Sequence, residues 1–280
     1  MTVAVRLLVA GHSSQRERLA RRGGSWRTVP FPATVAVMTH ASGTVLYDTG
    51  YARRYLDATS PLPERLYRWL IPGVIPAGES AVEQLASRGI GADDLATVVL
   101  SHLHADHSSG VLDFPAARIV AGEAPATAPG RRAHGRLWSA TAHGVLPATL
   151  PFDYLDRLVD PTTLPVVPTG LDGLAEGYDV VGDGSIVAVP LPGHSPGHLG
   201  LWLPETQGPP VLLVGDAVWL AASLTGDLPP RQVMATMHDP AAYRRTITSL
   251  QRLTDERPDI LLVPSHCQAT VAHARALLGG

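Results

Sequence analysis

Apolar and polar positions along this chain follow two periods. Aliphatic and β-branched residues gather in runs of four to six at 5–10, 34–39, 44–47, 97–100, 118–121, 185–189, 199–203, 211–214 and 260–263. Runs of that length, bounded by Gly, Pro, Ser or Asp, predict strands buried in a sheet. Ala41-Ser42-Gly43 joins the second and third runs as a hairpin. The helical period appears elsewhere. Ser80 and Glu83 make a capping box, Val82, Leu85 and Ala86 form an apolar stripe, and Gly89 is a stop. Asp239-Pro240 is an N-cap followed by proline at the first helical position, predicting a helix to about Arg257, and a last helix covers roughly 269–278. The helix at 80–89 lies between two strands, which makes a β-α-β crossover and parallel pairing.

Strands alternating with helices predict the α/β class. Neither a tandem repeat nor a linker-like stretch interrupts residues 1–280, so one domain is expected. Residues 11–27, polar and rich in arginine, read as an exposed loop. Residues 51–77 carry Tyr51, Tyr55, Tyr67 and Trp69 among Pro61, Pro63, Pro72 and Pro76, and read as irregular. Such a segment walls a substrate pocket or forms a homodimer contact, and the sequence leaves both open. Residues 124–168, rich in Ala, Pro and Gly, read as an insertion covering the site. His134 and His143 within it stand apart from other ligand types and are taken as ordinary.

Composition narrows the classes. The chain has 280 residues, 45% hydrophobic and 17% charged, enough for a sizeable core. Its net charge is −3, and Lys/Arg runs stop at pairs such as Arg53-Arg54 and Arg131-Arg132. That argues against a nucleic-acid partner. The single Cys267 excludes an internal disulfide and reads as a small buried side chain. Arg6 interrupts the first apolar run, so a signal peptide is not expected. No uncharged apolar run reaches the ~18 residues of a membrane span, and a cytoplasmic protein is expected.

The chemistry concentrates at Ser101-His102-Leu103-His104-Ala105-Asp106-His107, directly after the strand at 97–100. Three imidazoles and a carboxylate in six positions are costly to bury unpaired. They suit a metal: alternate residues of an extended segment point the same way, so His102 and His104 converge on one ion, and Asp106 and His107 reach a second. Neutral imidazole suits zinc, manganese or iron. Other strands end the same way. Asp48 precedes Thr49-Gly50 and reads as an acceptor orienting a metal-bound histidine. Gly193-His194-Ser195-Pro196-Gly197-His198 follows the strand at 185–189, Asp216 the strand at 211–214, and His266 the strand at 260–263. Ligands at strand ends are where α/β sheets place their sites.

These motifs, in this order, resemble the metallo-β-lactamase superfamily: Val45-Leu46-Tyr47-Asp48-Thr49-Gly50, the H-x-H-x-D-H run, Gly193-His194, Asp216 and His266. The resemblance covers most of the chain. It implies an αββα sandwich, two mixed sheets face to face with helices outside and metals at one edge. It also implies two divalent ions, most readily zinc, with iron or manganese as alternatives. His102, His104 and His194 would hold one, and Asp106, His107 and His266 the other. Asp216 would bridge them together with a hydroxide that attacks a carbonyl. Asp106 or Asp216 would handle the proton, and His198 would have a structural or orienting role.

Within the superfamily the chain is most similar to N-acyl-homoserine lactonases, in the aromatic segment after Asp48, the Gly-His-Ser-Pro-Gly-His stretch and the short chain after His266. Those lactonases carry a tyrosine three residues after the bridging aspartate, where this chain has Trp219. An indole N–H donates but offers no hydroxyl. The expected substrate is therefore a small lactone or related ester, with a phosphotriester as the alternative and Tyr51 and Trp219 near the pocket. Thioester hydrolysis and mononuclear-iron sulfur dioxygenation are weaker alternatives. The first lacks its C-terminal helical domain, and the second conflicts with a complete second ligand set.

Overall fold

The computed structural model describes residues 1–122, 141 and 143–279. Most of the first half of the expected insertion, including His134, Arg131 and Arg132, lies outside the described residues. In chain order the strands are β1 (Ala4–Arg16), β2 (Thr28–His40), β3 (Gly43–Tyr47), β4 (Leu95–Val99), β5 (Arg118–Val120), β6 (Leu158–Val159), β7 (Val166–Pro168), β8 (Glu176–Asp179), β9 (Val187–Pro190), β10 (Leu199–Leu203), β11 (Val211–Gly215) and β12 (Leu261–Pro264). The described α-helices are α1 (Glu17–Ala20), α2 (Arg53–Ala58), α3 (Glu64–Leu70), α4 (Ala81–Ala86), α5 (Ala105–Ser108), α6 (Tyr154–Arg157), α7 (Arg231–Met234), α8 (Pro240–Glu256) and α9 (Gln268–Leu278).

Two mixed sheets result, ordered β1-β2-β3-β4-β5-β6 and β12-β11-β10-β9-β8-β7. By contacts the chain divides into two compact units: Leu8–Ser14 with Pro32–Val159, and Met1–Leu7 with Gln15–Phe31 and Asp160–Gly280.

In the first of these units β2 and β3 form the expected antiparallel hairpin, with Val37 opposite Leu46, and β3 runs parallel to β4, with Leu46 opposite Val98. The crossover helix α4 begins at its capping box, where the Ser80 side chain accepts from the Glu83 amide. Its Leu85 packs with Leu46, Val98, Leu100, Leu103, Ile119, Phe114 and Tyr154 in one buried cluster. Fully burying an aliphatic side chain contributes roughly 1.5–3 kcal/mol, and this cluster fixes where β3 and β4 end.

In the other unit α8 presents Tyr243, Ile247, Leu250 and Leu253, three or four residues apart, to Val187, Val189, Trp202, Leu212 and Val214. The N-terminus of α8 sits on the loop after β9. Gly193 has φ +130, and a Cβ there would lie 2.1 Å from the Tyr243 amide nitrogen, so only glycine allows this approach. The Gly193 carbonyl accepts the Asp239 amide at 2.9 Å.

Two expectations are corrected. Strand β1 continues through residues 11–16 rather than ending at Ala10, and α1 follows it. Gly11, at φ +75, carries the chain past Val74, and His12 exchanges both backbone hydrogen bonds with that residue. These residues are polar, so the apolar signal stops before the strand does. Residues 51–77 likewise hold two short helices, α2 and α3, where an irregular segment was expected. Pro61 and Pro63 separate them, and neither is long enough to show a stripe in the sequence. No described helix is long and apolar enough to cross a membrane.

Asp239 caps α8 by accepting from the amides of Ala241 and Ala242, each at 2.9 Å. The Asp239→Ala variant should lose about 0.5–2 kcal/mol of unfolding free energy, read as a lower urea midpoint with unchanged slope. An unaltered midpoint would mean that the cap contributes nothing to the helix.

Candidate metal centre

Each unit carries its own cluster of imidazoles and carboxylates at the carboxyl ends of its strands. In the unit containing β3 and β4, β3 ends at Tyr47 and delivers Asp48, while the neighbouring parallel β4 delivers Ser101 and His102. Asp48 is fully buried and adopts φ 58, a left-handed conformation that costs a non-glycine residue roughly 1–2 kcal/mol. Its amide donates to the Val99 carbonyl at 2.8 Å, and Thr49 then closes the turn by donating to the His107 carbonyl through both its amide (2.7 Å) and its hydroxyl (2.8 Å).

The Asp48 carboxylate accepts three hydrogen bonds: from the Ser101 amide at 2.7 Å, the Ser101 hydroxyl at 2.9 Å and His107 Nδ1 at 2.8 Å. Burial raises the carboxyl above the ordinary aspartate range, and His107 and Ser101 pull it back. The tautomers follow. A carboxylate only accepts, so His107 carries its proton on Nδ1. The Ser101 hydroxyl gives its proton to Asp48 and therefore accepts from His102 Nδ1, 2.9 Å away. Both rings then hold their lone pair on Nε2, the atom suited to a metal. His107 Nε2 lies 3.8 Å from Asp106 Oδ2, so two acceptors face one another. The His102 ring centroid stands 4.4 Å from that of His104 and 4.2 Å from that of His107. His104 is braced by Gly144, where a Cβ would come within 2.7 Å of the imidazole Cδ2.

In the other unit β9, β11 and β12 deliver His194, Asp216 and His266. Strands β11 and β12 are parallel, and β9 shares their direction through antiparallel β10, so the three residues leave the same sheet edge. Asp216 is buried, with Oδ1 at 3.0 Å from His266 Nε2 and Oδ2 at 3.4 Å from His194 Nε2. His194 Nδ1 lies 3.3 Å from the Met237 sulfur, which accepts, so its proton is on Nδ1 and its Nε2 lone pair faces the carboxylate. His198 Nε2 accepts the Asp216 amide at 3.1 Å, and the Trp219 indole N–H donates to Asp216 Oδ2 at 3.0 Å. The indole is thus engaged on the carboxylate.

Tyr51 is fully buried and packs edge-on to Tyr55 at 4.8 Å. Burial, and then the charge of Asp106, raise its phenol well above the usual range, which keeps it neutral. His143 is exposed. Cys267 is buried, and its sulfur accepts from the Thr270 hydroxyl at 3.1 Å. Ser101, Gly144 and Met237 are contacts that the sequence reading left without a role. Only Ser101 carried a signal, since it stands between a strand and the histidine run.

The donor set fits divalent metal ions. In each unit a lone pair on imidazole Nε2 faces a carboxylate oxygen at 3.4–3.8 Å. Two acceptors facing one another at that separation suit a cation between them.

The sequence profile of the metallo-beta-lactamase superfamily matches residues 28–266. The chain is 29% identical over 238 residues to the N-acyl homoserine lactonase AiiB of Agrobacterium fabrum, covering 83% of this chain and 79% of that one. It is 30% identical over 244 residues to the probable metallo-hydrolase Mb2322c of Mycobacterium bovis, covering 80% and 71%. A solved N-acyl homoserine lactone hydrolase, with the product N-hexanoyl-L-homoserine at its catalytic metal center, superposes with a TM-score of 0.69. It does so at 19% identity, over 98% of this chain and 97% of that one.

Replacing Asp48 by alanine would leave three buried donors without their acceptor. The unfolding free energy should fall by about 3 kcal/mol or more, at roughly 1–3 kcal/mol for each unsatisfied group. Chemical denaturation reads this directly, and a loss under about 1 kcal/mol would contradict the three-bond network.

Proposed function

Because the chain belongs to the metallo-β-lactamase superfamily and is a hydrolase of that group, we propose that its two imidazole–carboxylate clusters act together. They would form a dinuclear metal site that hydrolyses a lactone or related carboxylic ester. In this reading the two compact units make one catalytic domain. His102, His104 and His194 would hold one ion, Asp106, His107 and His266 the other, and Asp216 would bridge them. Such a pair of divalent ions supplies a Lewis acid for the carbonyl and brings the pKa of water to near 7. Zinc, iron and manganese all suit the ligands.

The chain's own residues do the rest. Asp48 and Ser101 hold His102 and His107 with Nε2 presented, so neither ring must change tautomer on loading. Asp106 and Asp216 are the carboxylates able to take the proton released as water attacks and return it to the leaving oxygen. Trp219 pins one oxygen of Asp216, and His198 fixes the backbone amide of the same residue. The observation that carries the proposal is the lone pair of His194 Nε2 set against the buried Asp216 carboxylate. The lactonase names of the relatives favour a lactone as the bond to be opened.

A second reading has its own support. In lactonases the position of Trp219 offers a phenol to the lactone oxygen. Here the indole N–H is spent on Asp216. A larger ester or a phosphotriester, which does not need that phenol, is therefore the alternative substrate.

The test is acid release from N-hexanoyl- and N-dodecanoyl-homoserine lactone by the zinc-loaded protein, with a phosphotriester in parallel and metal content measured. Two ions per chain and ring opening are expected, with a loss of at least about 100-fold in His104→Ala, since removing a ligand costs more than the roughly 10–100-fold of disturbing the groups behind one. Metal-loaded protein that releases no acid yet hydrolyses the phosphotriester selects the second reading. Full activity in His104→Ala would remove the metal-site proposal altogether.

A further inference from the structure

A cavity of about 480 Å³ opens in the unit that contains α8, lined by Arg22, Leu228, Arg231, Met234 and Arg244. Three guanidinium groups reach it from three places: the turn after α1, the start of α7 and the first turns of α8. Its apolar surface comes from Leu228, half-buried, and Met234, buried. Its size lies within the range of roughly 300–1,000 Å³ in which small-molecule sites fall.

The neighbouring acids are already committed. Arg21 takes Glu17 and Asp227, the latter at 2.9 Å, and Asp227 also accepts the Gly23 amide at 2.8 Å. The Gly23 amide is the largest influence holding the Asp227 carboxyl below its ordinary range, with Arg21 and Arg22 adding to it. Asp239 is the cap of α8. Among the described residues none of Arg22, Arg231 and Arg244 makes an ion pair. All three side chains are exposed, so solvent screens much of their mutual repulsion, and an anion between them would relieve the remainder. Guanidinium groups match carboxylate and phosphate in a two-pronged geometry.

From Met234 in the cavity wall, one turn of chain leads to Met237 and to the Nδ1 side of His194. The Met234 carbonyl accepts the Met237 amide at 3.4 Å, and the Met237 sulfur touches His194 Nδ1. The His238 amide donates to the His194 carbonyl at 3.2 Å. Arg244 follows Tyr243, whose ring centroid is 6.5 Å from that of His194.

We propose that this cavity is an oxyanion subsite for an acidic substrate, holding a distal carboxylate or phosphate whose aliphatic stem lies on Leu228 and Met234. The assignment of the anion as part of the substrate rests on the metallohydrolase reading above. The subsite itself does not. Arginines explain the charge and the apolar floor explains the stem.

The test has a binding arm and a kinetic arm. Hexanoate, hexyl phosphate and neutral hexanol are titrated calorimetrically against the wild-type protein and against Arg231→Gln and Arg244→Gln. The two anions should bind and hexanol should not, with affinity falling about tenfold or more in each variant and weakening with added salt. Binding of only one anion tells carboxylate from phosphate and supports the subsite. Equal binding of hexanol, or anion binding indifferent to both substitutions, would overturn it.

The kinetic arm compares p-nitrophenyl acetate with the p-nitrophenyl half-ester of adipic acid, which keeps a free carboxylate. The variants should hydrolyse the neutral ester as the wild type does and lose about tenfold or more in kcat/KM on the acidic one, chiefly through KM. Unchanged kinetics on the acidic ester would sever the subsite from the reaction. Failure of the wild type on both esters would instead remove the hydrolase reading, while the calorimetry still decides the cavity.

Discussion

The cluster around Asp216 depends on one constraint, a buried carboxylate set against imidazole nitrogens. Asp216 has His266 Nε2 at 3.0 Å and His194 Nε2 at 3.4 Å, and all three residues are buried. Desolvating a carboxylate costs several kcal/mol unless a positive charge or strong donors replace water. The Trp219 N–H supplies one such donor. The other features of the cluster hold these groups in place. The glycine at 193 brings the His194 loop onto α8, Met237 sets the tautomer of His194, and His198 ties down the amide of Asp216.

The Asp48 network solves the same problem in the opposite sense. There the buried carboxylate is fully satisfied by three donors, so it calls for no ion of its own. Its work is to orient. Through Ser101 it reaches His102, and directly it reaches His107, so one carboxylate fixes the tautomer of two rings. Parallel pairing of β3 with β4 makes this geometry available, because it ends both strands at the same edge. A left-handed residue at the end of β3 is the cost of turning Asp48 toward β4.

Much of this was legible in the sequence. Strands β3, β4, β10 and β11 are continuous apolar runs, and the residues bearing chemistry come within a few positions of strand ends, where a polar group after a buried run stands out. The crossover helix showed its capping box, and α8 its Asp-Pro start. The rest was not legible, for physical reasons. The second half of β1 is polar, since alternate small residues such as Ser13 fill its inner face. Strands β6, β7 and β8 have two to four residues, too few for a period. Met237 and Gly144 act on histidines about 40 residues away, and no local pattern marks such a contact.

The exchange of a phenol for an indole at 219 reaches beyond one side chain. A phenol can donate to substrate and accept from water, while an indole N–H can do one thing only. Here that one bond goes to Asp216 and adds rigidity to the carboxylate. The arginine-lined cavity next to the segment that touches His194 offers a charge-based alternative. Recognition of a distal anion by guanidinium groups needs no hydroxyl at the reacting centre. The two features fit together: an indole N–H engaged on Asp216, and a recognition of charge that does not call on it.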